Sequence, residues 1–266
     1  MFVRRVLARV VANRASALHV ATAAVVVTTC QSNASCSGGD DFSSSSGSKS
    51  GDIHTAMHRL YDGLPDVHAI PEDEEDDIDA SGGHEGYGEL TVEGTSELLQ
   101  LVPLARDDVF FDLGSGAGRV IAQIAMQRPE VRAVGIELSQ TRHAVACAAL
   151  ERLAPAPHRA AAVHGDILAA PCDGATVVFI AGLLFDDGFM RRLGERLAAL
   201  PRVRAIATLR PFPADTVARL ASLGLEERAG PAQLTCTWAV QRVYVYERRS
   251  SGDEPACLVR SSLVTQ

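Results

Sequence analysis

The segment from residue 109 to residue 119 constrains the fold most strongly, because it sets three glycines at alternate positions between an apolar run and a helical pattern. Gly114, Gly116 and Gly118 follow a short apolar strand that ends near Asp112. Glycine adopts backbone dihedrals that other residues avoid and lets a ligand approach the chain closely. A helix that begins after such a turn presents free N–H groups and the positive end of its dipole. The segment therefore predicts a strand, a tight turn and a helix around a nucleotide-type cofactor.

A second apolar strand ends at Glu137, where a carboxylate typically binds the ribose hydroxyls of a cofactor. Asp166 and the turn at 181–182 also follow predicted strands. The carboxyl ends of parallel strands share one edge of a sheet, which is where cofactors bind. In a dinucleotide fingerprint two residues separate the second and third glycines, whereas one residue separates them here. The pattern favours S-adenosylmethionine over NAD and leaves a dehydrogenase as an alternative.

Strand and helix patterns alternate along the chain, which predicts an α/β fold with a mostly parallel sheet and helices on both faces. Helical periodicity follows the Ser139 cap, and Thr91 or Thr95 caps an earlier helix. An even spacing places Trp238 and Tyr244 on one face of the last strand. The predicted strands are 109–113, 131–137, 160–164, 175–181, 203–209, 225–229 and 235–247, and the helices between them are 118–128, 139–153, 186–200 and 214–223.

The overall charge and the cysteines limit the classes of function. A net charge of −8 over 266 residues argues against broad electrostatic binding to nucleic acid. Six cysteines are present, without a C-x-x-C pair or a metal-ligand spacing, so we expect reduced thiols and no metal site.

The first third of the chain predicts no catalytic domain. Residues 1–30 carry four arginines and no acid, which indicates a candidate targeting segment, organellar or secretory, with a disordered N-terminus as the alternative. The apolar part of this segment is too short for a stable membrane span. Residues 31–83 combine Ser-rich and acidic sequence and predict a disordered linker, with a helix of its own from 53 to 64. We expect the catalytic domain at 84–250 and a tail at 251–266.

Six stretches together resemble one family: 87–90, 110–119, 135–137, 165–167, 178–180 and 210–212. Over about 84–247 the chain looks like the catalytic domain of the disruptor-of-telomeric-silencing type of histone lysine methyltransferase, which lacks a SET domain. The resemblance implies a class I S-adenosylmethionine methyltransferase with a seven-stranded Rossmann-like sheet whose last strand is antiparallel. It also implies methyl transfer to a protein lysine, of the histone type, and a role as a chromatin regulator.

The resemblance also implies a role for each matching residue. The Tyr87 loop would cover the methionine part of the cofactor, Glu137 would hold the ribose, and Asp166 with Ile167 would contact the adenine. Plain alternatives are a packing aromatic for Tyr87, a solvated strand end for Glu137 and a turn former for Asp166. The full set of cofactor candidates is Tyr87, Gly88, Glu89, Leu90, Phe110, Phe111, Asp112, Leu113, Gly114, Ser115, Gly116, Ala117, Gly118, Arg119, Glu137, Asp166 and Ile167.

The acceptor side of the site departs from the family pattern. An apolar channel that keeps a lysine amine neutral would be formed by Phe185, Trp238 and Tyr244, unless these aromatics only pack the sheet. Where the family has an Asn pair, this chain has Ala181 and Gly182, and the family's basic flank is absent.

These departures leave two alternatives: a methyltransferase of the same fold with a non-histone protein or small-molecule acceptor, or a catalytically silent cofactor-binding module. The resemblance points to the nucleus and the N-terminus to an organelle, so the compartment stays open, as does the oligomeric state.

Overall fold

A computed structural model describes residues 49–153 and 159–248 of the chain. The predictions for residues 1–30, for the Ser-rich stretch at 31–48 and for the tail at 251–266 lie outside these residues. Three of the cysteines lie within them, and none of the three forms a disulfide.

Eight strands form the sheet at the centre of the described structure, in the order β3-β2-β1-β4-β5-β8-β6, while β7 pairs with β8 beside this path. Strands β1 to β5 pair in parallel, and β8 runs antiparallel to β5, β6 and β7. This arrangement confirms the predicted Rossmann-like sheet with an antiparallel last strand. The strands are β1 (Val109–Leu113), β2 (Arg132–Glu137), β3 (Arg159–His164), β4 (Val177–Ile180), β5 (Ala205–Thr208), β6 (Leu225–Glu227), β7 (Ala232–Thr235) and β8 (Val240–Arg248).

Helices cover both faces of the sheet, as predicted. Neighbouring residues of β1 show why, because Phe110 packs into one core cluster and Phe111 into the other. The first cluster includes buried residues of α1, α3, α4 and α5, and the second includes those of α6 and α7. The helices are α1 (Lys49–Tyr61), α2 (Glu72–Ser81), α3 (Val92–Leu101), α4 (Arg119–Gln127), α5 (Gln140–Leu153), α6 (Asp187–Ala198) and α7 (Ala214–Ser222).

The prediction of a disordered linker up to residue 83 is wrong for residues 49–83, although the helix predicted within it from 53 to 64 is present as α1 (Lys49–Tyr61). Helix α1 buries Met57 and Leu60 in the core, and α2 forms from the acidic run itself. The carboxylate of Glu74 accepts hydrogen bonds from Ser139 and Thr141 at the start of α5. An acidic side chain is stabilised at a helix N-terminus. Because this partner lies 65 residues further along the chain, local composition could not reveal it.

The predicted last strand from 235 to 247 is also wrong in its first part. Strands β7 and β8 form a β-hairpin there. A hydrogen bond from the Cys236 amide to the Ala239 carbonyl (3.1 Å) closes the turn between them. Trp238 lies in this turn and not on a strand. The even spacing between Trp238 and Tyr244 therefore does not place them on one face.

No helix among the described residues is long and apolar enough to cross a membrane.

Candidate active site

A cavity of about 390 Å³ opens at the carboxyl ends of β1, β2 and β4. This is the edge of the sheet at which the sequence analysis places the cofactor. Most of the predicted cofactor residues line the cavity, and so do two residues of α2 and several of the loop before Tyr87. The predicted residues that line it are Tyr87, Gly88, Glu89, Leu90, Asp112, Leu113, Gly114, Ser115, Gly116, Arg119, Glu137, Asp166 and Ile167.

The glycine turn forms the floor of this cavity. Gly114, Gly116 and Gly118 all have positive φ angles, of 83°, 53° and 75°, which favour glycine. A Cβ atom added at Gly116 would lie 2.5 Å from the Tyr87 ring. The amide of Ser115 donates to the carbonyl of Ile136 (3.0 Å), which fixes the turn against β2. Glycine is therefore required here for both backbone conformation and close packing.

Glu137 connects the end of β2 to the turn. One carboxylate oxygen accepts a bond from the Gly116 amide and the other from the Ser139 amide, each at 2.8 Å. The Ser139 hydroxyl in turn accepts from the Arg142 amide (3.1 Å), which confirms its predicted place as the cap of α5. Each carboxylate oxygen has two lone pairs. Glu137 is thus held in place and keeps acceptor capacity towards the cavity that it lines.

Asp112 is the most deeply buried acid of the site. Its side chain lines the cavity but is only 3% exposed, and within the described residues no group donates a hydrogen bond to it. Burial, together with the nearby carboxylates of Glu137 and Glu89, raises the pKa of Asp112 to about 8. An ionised carboxylate in this position is stabilised by a cation that enters the cavity. The hydroxyl of Ser115, also buried in the cavity, has no hydrogen-bond partner in the described structure.

The Tyr87 loop lies directly over the glycine turn. The Tyr87 hydroxyl donates to Glu89 and accepts from the Ala117 amide (3.1 Å). Burial raises the pKa of Tyr87 well above its usual value, so the phenol stays neutral. Glu89 forms an ion pair with Arg119 (2.7 Å). Burial raises the pKa of the Glu89 carboxyl, while Arg119 acts in the opposite direction. Tyr87 therefore joins the loop to the turn and does more than pack.

The β7–β8 turn holds this loop from the outside. The Thr237 amide donates to the Glu89 carbonyl (2.9 Å), and the Thr91 amide donates to the Thr235 carbonyl (3.0 Å). The Trp238 ring covers Gly88 so closely that a Cβ atom there would lie 2.2 Å from the ring. Trp238 remains 47% exposed and lines the rim of the cavity.

The loop after β4 forms the opposite wall. Phe185 packs against Phe189 with 4.4 Å between ring centroids, and it lines the cavity. A Cβ atom at Gly182 would lie 2.2 Å from the Phe185 ring. Leu184 is 55% exposed at the cavity mouth. The structure thus brings Phe185 and Trp238 to the same cavity.

Five of the predicted site residues lie elsewhere. Phe110 and Phe111 are core residues, because alternate strand positions point into the two faces of the sheet and away from its edge. Ala117 is buried below the turn, and Gly118 packs against Ala146 of α5. Tyr244 lies in a second cavity beside the first.

Asp166 is a turn former that also lies in the cavity. It lines the cavity, and its carboxylate also accepts a bond from the Leu168 amide (2.8 Å), as expected of a turn former.

Arg142 is a site residue that the sequence analysis missed. It is 4% exposed, lines the cavity and lies over the Tyr87 ring, with 4.7 Å between the guanidinium carbon and the ring centroid. Its guanidinium donates to the carbonyls of Val67 (3.2 Å) and Glu85 (2.7 Å). These contacts span 57 to 75 residues of sequence, so no local pattern indicates them.

Comparison with known proteins identifies one family. Residues 69–223, more than half of the chain, match the family model described as histone methylation protein DOT1. A Drosophila melanogaster histone-lysine N-methyltransferase, specific for H3 lysine-79, is 40% identical over 57 residues, which are 21% of this chain and 3% of that protein. A protein-lysine N-methyltransferase of Saccharolobus islandicus is 33% identical over 81 residues, which are 30% of this chain and 50% of that protein.

The chain therefore spans half or less of the length of these curated relatives. Among solved structures, the magnesium protoporphyrin IX methyltransferase of Synechocystis aligns over 76% of this chain and 92% of its own, with 14% identity and a TM-score of 0.49.

Proposed function

This chain belongs to the DOT1 family of histone methylation proteins, and from this we propose that it transfers a methyl group from S-adenosylmethionine to a lysine side chain of a protein. The observation that carries the proposal is the cavity at the glycine turn, where a buried carboxyl group that accepts no hydrogen bond from the described residues faces a site framed by Glu137 and the Tyr87 loop.

The charge of the cavity fits this cofactor. Four carboxylates line it: those of Glu89, Asp112, Glu137 and Asp166. Of the two arginines that line it, one pairs with Glu89 and the other donates to backbone carbonyls. S-adenosylmethionine brings a sulfonium and an ammonium group, which suit an excess of carboxylates. A dinucleotide would instead bring its negatively charged pyrophosphate close to the same carboxylates, which would repel it. The cavity therefore disfavours the dehydrogenase alternative.

Different residues of the cavity would hold different parts of the cofactor. Glu137 would accept bonds from the ribose hydroxyls, Asp166 and Ile167 would contact the adenine, and the Tyr87 loop would cover the methionine part. Asp112 and Ser115 have unused hydrogen-bonding capacity for its polar groups. When bound, the cofactor supplies a methyl group activated by the positive sulfur, and the protein contributes position and exclusion of water.

Apolar walls of the cavity favour the neutral form of the acceptor amine. Lysine attacks only when neutral, and its free pKa is about 10.4. Phe185 and Trp238 line the cavity and make one wall each, and surroundings of this kind disfavour the ammonium form. The acceptor amine would thus be held neutral between these walls and beside the activated methyl group, and the proton that it loses on methylation would pass to solvent at the open rim.

The loop after β4 bears on the identity of the methyl acceptor. Ala181 and Gly182 stand where the family has its Asn pair, and any side chain at residue 182 would meet Phe185. The channel is therefore built from aromatic packing and not from amides. We propose histone H3 as the first acceptor to test, and a non-histone protein as the alternative that these differences favour.

A two-step experiment tests the proposal. Trp238 is the only tryptophan of the chain and lies at the rim, so its fluorescence reports ligand binding directly. Titration with S-adenosylmethionine and with NAD should change the signal for the former alone. Transfer of labelled methyl groups to nucleosomes, free histones and a cell lysate then identifies the acceptor class.

Lys49 is the only lysine of the chain, so a Lys49→Arg variant removes labelling of the enzyme itself. Absence of S-adenosylmethionine binding would refute the proposal. Binding without any labelled acceptor would instead support the catalytically silent alternative.

A further inference from the structure

A second open cavity, of about 530 Å³, adjoins the cofactor cavity. The two share Leu183, which lines both. The second cavity lies between the loop after β5 and the first residues of β8, and it contains Arg210, Arg242 and Tyr244. It is not part of the cofactor site described above, and the proposed chemistry uses none of these three side chains.

Two arginines and one carboxylate, that of Asp187, line the second cavity, so its net charge is positive while that of the first is negative. Arg210 pairs with Asp187 (2.7 Å) and also donates to the Leu183 carbonyl (3.3 Å). Arg242 is exposed, and within residues 49–153 and 159–248 no carboxylate pairs with it. Its guanidinium lies over the Tyr244 ring, 4.7 Å from the centroid. Such stacking holds the side chain in one orientation while its donors remain available.

An apolar rim, formed by the exposed side chains of Leu184, Trp238 and Val240, lies beside the two cavities. The large apolar side chains that are exposed in the described structure are Leu184 (55%), Trp238 (47%) and Val240 (57%). Leu184 and Trp238 line the first cavity, and Val240 precedes Gln241, which lines the second. Exposed apolar groups collected beside a site commonly mark a surface that binds a partner.

We propose that the second cavity binds an acidic segment of the acceptor protein, with Arg242 pairing an acidic residue close to the lysine that enters the first cavity. The inference rests on the proposed methyl transfer and adds to it the sequence class of the acceptor. An extended segment crosses the apolar rim with one flank at the cofactor cavity and the other at Arg242. A flank rich in arginine or lysine would be repelled by the same guanidinium.

Peptide binding tests the inference without requiring turnover. Three fluorescein-labelled peptides share one lysine between two leucines and carry two glutamates, two glutamines or two arginines at positions two to six residues from the lysine. The affinities are measured by anisotropy at low salt with the cofactor product bound. We expect the glutamate peptide to bind about three- to tenfold more tightly than the arginine peptide, as for an exposed charge pair. The preference should shrink in high salt.

Three variants make the comparison specific. Arg242→Glu should reverse the preference, and Arg242→Gln should remove most of it. Arg202→Glu has the same net charge as Arg242→Glu and is the matched control, because Arg202 is exposed just before β5 at the opposite edge of the sheet and should leave the preference unchanged. Equal affinity of the native protein for all three peptides, or a preference that survives Arg242→Glu, would overturn the inference.

Methyl transfer to the same peptides is a separate measurement. If the glutamate peptide binds best and Arg242→Glu reverses the order, but no methyl group is transferred, then the acidic-segment inference stands and the proposed reaction fails.

Discussion

Replacing Asp112 by Asn should make the cofactor-free protein more stable and its cofactor binding weaker. The native side chain is buried near two other carboxylates and accepts no hydrogen bond from the described residues. Asn has nearly the same shape and carries no charge. The variant thus separates the charge of residue 112 from its packing.

The size of the expected stability difference follows from the pKa of Asp112. The folded protein raises the pKa of Asp112 from 3.8 to about 8. The unfolded chain therefore releases this proton first as the pH rises, and the group makes the fold progressively less stable between about pH 4 and pH 8. One pKa unit is about 1.4 kcal/mol, so the upper bound at pH 8 is on the order of 5 kcal/mol. For a chain of this size that is about 10 °C or more in Tm.

Thermal unfolding of both proteins from pH 5 to pH 8.5 measures this effect. We expect their Tm values to lie close together at pH 5 and to diverge as the pH rises, with the Asn variant higher. S-adenosylmethionine should reverse the order, because a cation in the site stabilises the ionised carboxylate. Calorimetry should show an affinity about 10- to 100-fold lower for the variant, the usual effect of losing a hydrogen bond to a charged group.

The native affinity should also fall as the pH drops below 8, and that of the variant should not. Unchanged cofactor affinity would refute the assignment of Asp112 to a cationic ligand group. A uniform loss of Tm in the variant at every pH would refute the account of its burial.

Three further substitutions have distinct expected outcomes. Glu74→Gln should lower the free energy of unfolding by about 1–2 kcal/mol at pH 7. Hydrogen bonds outweigh the opposing effect of burial and lower the pKa of Glu74, so this difference should vanish as the pH falls below about 4 in urea titrations. Tyr87→Phe keeps the ring but loses the bonds to Glu89 and to the turn, so calorimetry should show several-fold weaker S-adenosylmethionine binding; equal affinity would contradict the role of the hydroxyl. Gly182→Ala should displace Phe185 and lower kcat at least several-fold with the cofactor Kd unchanged, and an equally large loss of cofactor affinity would instead place residue 182 at the cofactor.

The cofactor edge of the fold was predictable because its signals are local. The glycines of the turn are needed where the chain itself takes positive φ, Glu137 is the last residue of β2, and Asp166 lies two residues after the end of β3. Phe110 and Phe111 were assigned to the cofactor with the rest of the motif, although strand alternation sends both into the core. A motif marks a stretch of chain, and the geometry of the strand decides which of its side chains reach the ligand.

The sequence by itself determined the α/β class, the order of strands and helices from β1 to β6, the family and most of the cofactor cavity, because periodicity, glycine turns and strand ends act over a few residues. Only the tertiary structure decided that the acidic run forms α2 and meets the start of α5, that Arg142 holds the Tyr87 loop, and that Trp238 and Tyr244 face different cavities. Each of these depends on contacts between residues far apart in the chain or on the residue at which a strand ends in a turn. Local sequence patterns indicate neither.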